Sequence, residues 1–358
     1  SKFIFLILFF ISLPSISGEI IKNKTKFLNK QYNPALLRID FTPIPNKDEG
    51  YIDLTLIGAS GNPIGKRKKI QTKEFFRNLR SFYKQVATLD YLKEYDPNSP
   101  TRKINDYLIE PISDDLIKEE ITTLIISTDS IFHSIPFAAI HNGKNWFGSQ
   151  YAFSITPSIN LMQRSKSNFK ISFNSKSILL AGASNFSKLS PLPFVRQELN
   201  GISKILPSKT FLNDNFTSNI LEKDAITNNY SFVHLATHSE FTAKNPKESK
   251  LYFSKGFITL ENIDSLRLSR DNNPLELFVL SSCRSALGDD ENQLGIAGLA
   301  LQTGSHSAIG TLWYIDDLFT SAFFIRFYQI LNKGVPKAEA LRKTRNEFLN
   351  KKFSVENN

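Results

Sequence analysis

Short apolar runs recur in the second half of the chain and alternate with longer, more polar stretches. Residues 232–236 and 277–280 are too short for helices and suit strands that are buried on both faces, as in a parallel sheet. Between such runs lie helix signals, for example Thr217, which can cap a helix extending to Ala225. This alternation predicts an α/β fold over residues 173–350, with a mostly parallel sheet flanked by helices.

The first half of the chain has a different pattern and predicts an α+β portion over residues 18–172. Residues 19–46 are polar and irregular, which favours a linker or an edge element. Residues 51–59 alternate as in a strand, and Thr72 begins a helix with one apolar stripe. Residues 123–140 contain two apolar stretches around Asp-Ser turn residues and predict a hairpin.

Polar residues follow two of the buried runs at the point where each predicted strand ends. His238 comes after residues 232–236, and Cys283, the only cysteine, comes after residues 277–280. If the two strands are parallel neighbours, both side chains emerge at the same edge of the sheet. An imidazole at that edge can take the proton of a thiol, whose pKa starts near 8.5, and so activate it as a nucleophile.

Each of these residues also has a purely structural interpretation. A single cysteine after an apolar run is often a small core residue. His234 lies inside its predicted strand and is interpreted as a packed core histidine, whereas His141 is interpreted as a solvated loop residue. His234 and His238 are four residues apart, a spacing that brings two side chains to one face only in a helix, so the pattern argues against a metal site.

Three motifs give the chain a family resemblance. Ala-Thr-His at 236–238, Val-Leu-Ser-Ser-Cys at 279–283 and the segment at 308–317 resemble the CHAT domain, a caspase-like family related to separase. The resemblance extends over about residues 70–350. It implies a caspase-like sheet and a cysteine endopeptidase that acts on protein or peptide substrates without a metal or cofactor. By motif position, Cys283 is the nucleophile, His238 is its partner, and the main-chain N–H groups of Ser239 and Cys283 form the oxyanion hole.

Several alternatives remain open at this point. Ser239 stands where the family usually has glycine, which motivates a catalytically inactive module for regulation or protein interaction. A non-peptidase thiol hydrolase or acyltransferase is a further alternative. Asp316 and Asp317 either form a pocket that selects a basic substrate residue or cap the following helix. Glu198, in a predicted helix, fits packing or a buried salt bridge better than catalysis.

Composition and net charge bear on the number of domains and on the kind of molecule that the protein binds. The 358 residues are 41% hydrophobic, enough for one large or two modest domains, and the net charge is +10. The basic residues are scattered, and the densest run, at 66–69, is interpreted as a solvated face, so no nucleic-acid partner is predicted. An activating protein partner is compatible with the family resemblance.

The sequence makes a different prediction for each end of the chain. Residues 1–17 have the pattern of a signal peptide, with Lys2, an apolar run at 3–13 and small residues before Gly18. We therefore expect export to the periplasm or the extracellular space, with an uncleaved anchor as the second choice and the sole membrane contact. Without a signal peptide, the protein would be cytoplasmic. Residues 351–358 are expected to be a frayed tail.

Overall fold

The computed structural model divides the chain into two compact units. The first unit comprises Ser1–Ile7, Pro14–Lys166 and Leu341–Leu349, and the second comprises Leu8–Leu13, Ser167–Ala340 and Asn350–Asn358. The structure describes residues 8–12, 26–27, 30–88, 96–156, 178–228, 230–240, 242, 245–266, 275–281, 305–311 and 316–350.

The strands and helices of the described residues follow in chain order. The strands are β1 Leu8–Ser12, β2 Lys26–Phe27, β3 Lys30–Gln31, β4 Pro34–Pro43, β5 Glu49–Ile57, β6 Pro63–Gln71, β7 Thr123–Thr128, β8 Ala152–Thr156, β9 Ile178–Gly182, β10 Ser208–Leu212, β11 Phe232–Ala236, β12 Ser239–Glu240, β13 Lys250–Tyr252, β14 Phe257–Thr259, β15 Leu277–Ser281 and β16 Ser307–Thr311. The α-helices are α1 Thr72–Thr88, α2 Pro100–Leu108, α3 Ser113–Lys118, α4 Phe147–Gln150, α5 Val195–Ser203, α6 Ser218–Thr227, α7 Asp317–Leu331 and α8 Lys337–Leu349.

The sheet of the second unit confirms the predicted parallel α/β architecture. Its strands follow the order β10-β9-β11-β15-β16, and each neighbouring pair is parallel. Every residue of β9, β11, β15 and β16 is buried, as expected for strands covered on both faces. Gly182 is needed at the end of β9, because a Cβ atom there would clash with the carbonyl oxygen of Ala236.

The first unit confirms the α+β expectation with a mixed sheet in the order β8-β7-β4-β5-β6. The pairs β4–β5 and β5–β6 are antiparallel, and the pairs β4–β7 and β7–β8 are parallel. Helix α1 buries the apolar stripe that its sequence predicts, including Phe75, Leu79, Phe82 and Val86.

Two expectations for the first unit are wrong. The predicted hairpin at 123–140 is absent from the structure: β7 pairs with β4 and β8, and the following stretch forms short 3₁₀ helices at Ser130–Phe132 and Phe137–Ala139. Pro136 lacks the N–H that a second ladder strand would donate. Residues 34–43 were expected in a linker or edge element, but they form β4, the middle strand of this sheet, which alternates half-buried and buried positions over residues 34–40.

Strands β6 and β1 bear on two of the other expectations. Lys66, Arg67 and Lys69 in β6 pair with Asp115, Asp53 and Glu49, so the basic run on this exposed edge is largely matched by acids. Leu8–Ser12, inside the predicted signal segment, forms β1 and pairs antiparallel with β16. Within the described ranges, no helix combines the length and the apolar character needed to cross a bilayer.

Candidate functional site

The second unit brings the ends of the two motif strands together. β11 and β15 are parallel neighbours with Ala236 opposite Ser281, the arrangement in which both strands end at one edge of the sheet. Beyond the last pair, the Thr237 N–H donates to the carbonyl of Ser281 over 3.2 Å. His238 follows Ala236 by two residues in the sequence, and Cys283 follows Ser281 by the same number. Cys283 itself lies outside the described residues.

The imidazole of His238 is held by a main-chain group from another loop. Its Nε2 lies 2.8 Å from the carbonyl oxygen of Ser190. Because a carbonyl oxygen can only accept, Nε2 must carry the proton, and in the neutral ring Nδ1 then has the lone pair. The Phe186 ring contacts the same imidazole, with 4.6 Å between centroids. The contacts orient a half-buried histidine that can take a proton at Nδ1.

Ser239 follows this histidine in an ordinary extended conformation. Among the described residues other than glycine, a positive φ occurs at Asn46, Glu120 and Asn213, so serine in place of the family's glycine causes no strain of this kind. Ser239 pairs with Leu251, and the neighbouring bond runs from the Tyr252 N–H to the His238 carbonyl. In this register the Ser239 N–H points away from β13, toward the edge of the small sheet β12-β13-β14.

A buried polar cluster lies beneath the histidine strand. His234 in β11 is fully buried, and its Nε2 lies 2.7 Å from Oε1 of Glu198 in α5. Its Nδ1 lies 3.3 Å from the hydroxyl of Tyr328 in α7. Burial, together with the charge of Glu198, raises the pKa of Tyr328 well above its ordinary value, so the hydroxyl stays a donor. These contacts confirm a core role for His234 and a buried pair for Glu198.

Asp316 and Asp317 both accept hydrogen bonds from main-chain groups. Asp316 caps α7, since its Oδ1 accepts from the Phe319 N–H over 3.1 Å. Oδ2 of Asp317 instead accepts from the N–H of Phe194, the N-cap residue of α5, over 2.7 Å. The helix-capping interpretation is therefore confirmed for Asp316, and a role of either residue in substrate selection stays a prediction.

The buried position of Asp317 makes stability depend on pH. Burial, with the charges of Glu198 and Asp316, raises the pKa of Asp317 from 3.8 to about 6, although the hydrogen bond from Phe194 opposes this. Folding then favours the protonated acid, and this stabilisation is present below about pH 4 and lost as the pH rises through 6. An amide at this position cannot ionise, so Asp317→Asn should gain stability relative to wild type from pH 4 to 7, by about 1 to 2 kcal/mol after solvent screening. Urea unfolding of both proteins across this range measures the difference, and parallel curves would contradict the assignment.

Sequence reasoning missed the residues that orient His238. Ser190 contributes a main-chain carbonyl, which every residue has, so no sequence pattern indicates it. Phe186 has the same composition signal as any core aromatic residue.

His141, expected to be a solvated loop residue, is 1% exposed, and its Nδ1 accepts from the Gly143 N–H over 2.9 Å in the first unit. That expectation is wrong because the Trp146 ring covers the imidazole.

Comparison with known proteins agrees with the motifs and the fold. The family model of the CHAT domain matches residues 98–356, which is most of the chain. The sequence has no significant match among curated proteins. The family match covers the parallel sheet of the second unit, His238 and the cysteine motif. The chain therefore belongs to the CHAT domain family, which is related to the caspase-like peptidases.

Proposed function

We propose that this protein is a cysteine endopeptidase in which His238 and Cys283 form the catalytic dyad. The observation that carries the proposal is the hydrogen bond from His238 Nε2 to the Ser190 carbonyl, 2.8 Å long. It fixes the tautomer in which Nδ1 is the basic nitrogen. That ring stands at the carboxyl end of β11, beside the parallel strand that leads directly into Cys283.

The proposed reaction uses Cys283 as the nucleophile and His238 as its base. His238 Nδ1 takes the proton of the Cys283 thiol, and the thiolate attacks the carbonyl carbon of a peptide bond. The resulting oxyanion accepts hydrogen bonds from the N–H groups of Ser239 and Cys283. The imidazolium then protonates the leaving amine, which breaks the C–N bond and leaves a thioester on Cys283. A water molecule, deprotonated by the same imidazole, hydrolyses the thioester and restores the free thiol.

The buried cluster beneath the site supports the proposal through rigidity. His234 lies four residues before His238 and is held from two helices, by Glu198 and by Tyr328. A strand fixed in this way holds the backbone of the catalytic histidine in one position. Such support makes the site fit a fixed reaction geometry, which catalysis requires to within a fraction of an ångström.

A peptide library tests the proposed activity and its specificity together. The full chain is incubated with proteome-derived peptides under reducing conditions, and new amino termini are identified by mass spectrometry. We expect cleavage that is absent in Cys283→Ala. Enrichment of Lys or Arg before the cleaved bond would support the role of Asp316 and Asp317 in selection. If no peptide is cleaved, with or without cell extract as a source of an activating partner, the peptidase proposal fails and an interaction module takes its place.

A further inference from the structure

The loop at residues 183–194, which connects β9 to α5, presents the carbonyl that orients His238. The loop is closed on itself by a hydrogen bond from the Leu192 N–H to the Ser184 carbonyl, 2.9 Å long. A second bond, from the Ser187 N–H to the Ser254 carbonyl, ties it to the hairpin β13–β14 over 3.3 Å. The position of the Ser190 carbonyl therefore depends on what holds the two ends of this loop.

The beginning of the loop is held by Asn213, which follows β10. Its Oδ1 accepts from the main-chain N–H of Ser184 over 2.8 Å and from the Ser184 hydroxyl over 3.1 Å. Asn213 does this from a left-handed backbone conformation, with φ of 54°. Asparagine tolerates this region better than most residues, yet the conformation is strained and persists only where its surroundings enforce it.

The end of the loop is held by Asp317. Asp317 lies in α7, and its carboxylate accepts a hydrogen bond from the N–H of Phe194, the last residue of the loop. This bond is not needed to cap α7, because Asp316 already supplies the cap. An acid at the start of α5 also interacts favourably with the helix dipole. Asp317 is therefore directed at the neighbouring loop and helix rather than at its own helix end.

We propose that Asn213 and Asp317 are positioning residues for His238, which hold the loop at 183–194 so that the Ser190 carbonyl fixes the imidazole tautomer. The consequence for rate rests on the proposed peptidase function, whereas the effect on the tautomer does not. Two charged groups act on Asp317. They are Glu198 on α5 and Asp316 on its own helix, and the exposed Arg196 also lies on α5.

The test compares loop variants with matched controls in the full chain. Asn213→Ala and Asp317→Ala each remove a side chain that accepts a hydrogen bond from the loop. Asp317→Asn keeps an oxygen that can accept from the Phe194 N–H. Asp214→Asn changes an exposed neighbour of Asn213, and Thr217→Ala removes the cap of α6 without touching the loop. Nitrogen NMR of labelled histidine reports the tautomer of His238, and alkylation of Cys283 by iodoacetamide reports its reactivity.

We expect Asn213→Ala and Asp317→Ala each to shift His238 from the single Nε2–H tautomer toward a mixture of both tautomers. The rate of Cys283 alkylation at pH 7 should fall about 10- to 100-fold. Asp317→Asn should restore the tautomer and bring the rate to within about threefold of wild type, because it retains the hydrogen bond. Asp214→Asn and Thr217→Ala should leave the tautomer unchanged.

The outcomes separate this inference from the proposed function. If Asn213→Ala and Asp317→Ala lower the melting temperature but leave the tautomer and the alkylation rate as in Thr217→Ala, the two residues are only structural and the inference is wrong. If the tautomer shifts while the protein cleaves no peptide, the positioning role stands and the peptidase proposal fails. If wild type and both variants cleave peptides equally fast, the inference fails and the peptidase proposal stands.

Discussion

Replacing His238 by alanine is expected to lower kcat/KM for a cleaved peptide by about 10² to 10⁴-fold, the usual contribution of a positioned general acid and base. The imidazole is held at Nε2 by the Ser190 carbonyl, and its removal takes away the group that accepts the thiol proton. The loss should be largest near pH 7, where a free thiol is mostly protonated, and should shrink above pH 9, where hydroxide can supply the thiolate. Initial rates measured from pH 6 to 10 check both statements.

His306 provides a matched control for this variant. It is a histidine of the same unit that lies just before β16, at the opposite end of the strands from His238, and its N–H donates to the Leu275 carbonyl. His306→Ala should change kcat/KM by no more than about twofold. If His238→Ala cleaves as fast as His306→Ala at pH 7, His238 has no part in the chemistry.

Replacing Glu198 by alanine is expected to destabilise the protein by about 2 to 4 kcal/mol. The carboxylate is 1% exposed and contacts Nε2 of His234, which is itself fully buried. Removing one partner leaves the other polar group buried without its hydrogen bond, in addition to a small cavity. Glu198→Gln keeps an oxygen beside the ring and should lose only about half as much. Urea unfolding at pH 7 measures both variants.

A double-mutant cycle gives the pairwise part of this energy. The exposed Glu222 on α6 serves as the control, and Glu222→Ala should stay within about 0.5 kcal/mol of wild type. When His234 is alanine, removal of Glu198 should cost less than in wild type, with a coupling of about 1 to 3 kcal/mol. Additive effects would mean that the pair contributes nothing to stability and would remove the rigidity that we ascribe to β11.

The sequence predicts the second unit better than the first, and the reason lies in burial. β11 and β15 are short runs in which every residue is buried, so their composition alone indicates a parallel strand covered on both faces. Strand β4 alternates between buried and half-buried positions only over residues 34–40, has a proline at each end, and lies between polar flanking segments. A pattern of this kind resembles an edge or a linker until its neighbours β5 and β7 are known.

Only the part of the candidate site that consists of side chains could be predicted from the sequence. His238 and Ser239 follow a strand whose end is visible in the sequence, and the register of β11 with β15 agrees with the predicted convergence. The Ser190 carbonyl lies 48 residues away in the chain and belongs to the main chain, so only the folded loop reveals it. The same holds for Asp317, which sequence reasoning interprets as a helix cap or a pocket wall, whereas its carboxylate contacts Phe194.

The most direct test of the dyad is the mass of the intact protein after exposure to a peptidyl electrophile. We expect a single adduct on the full chain under reducing conditions, mapped to Cys283 by peptide digestion. We also expect no adduct in Cys283→Ala and formation about 10²-fold slower in His238→Ala. The contrary result is an unmodified protein, or an adduct that forms equally fast with and without His238. Either finding would show that this histidine does not activate the thiol.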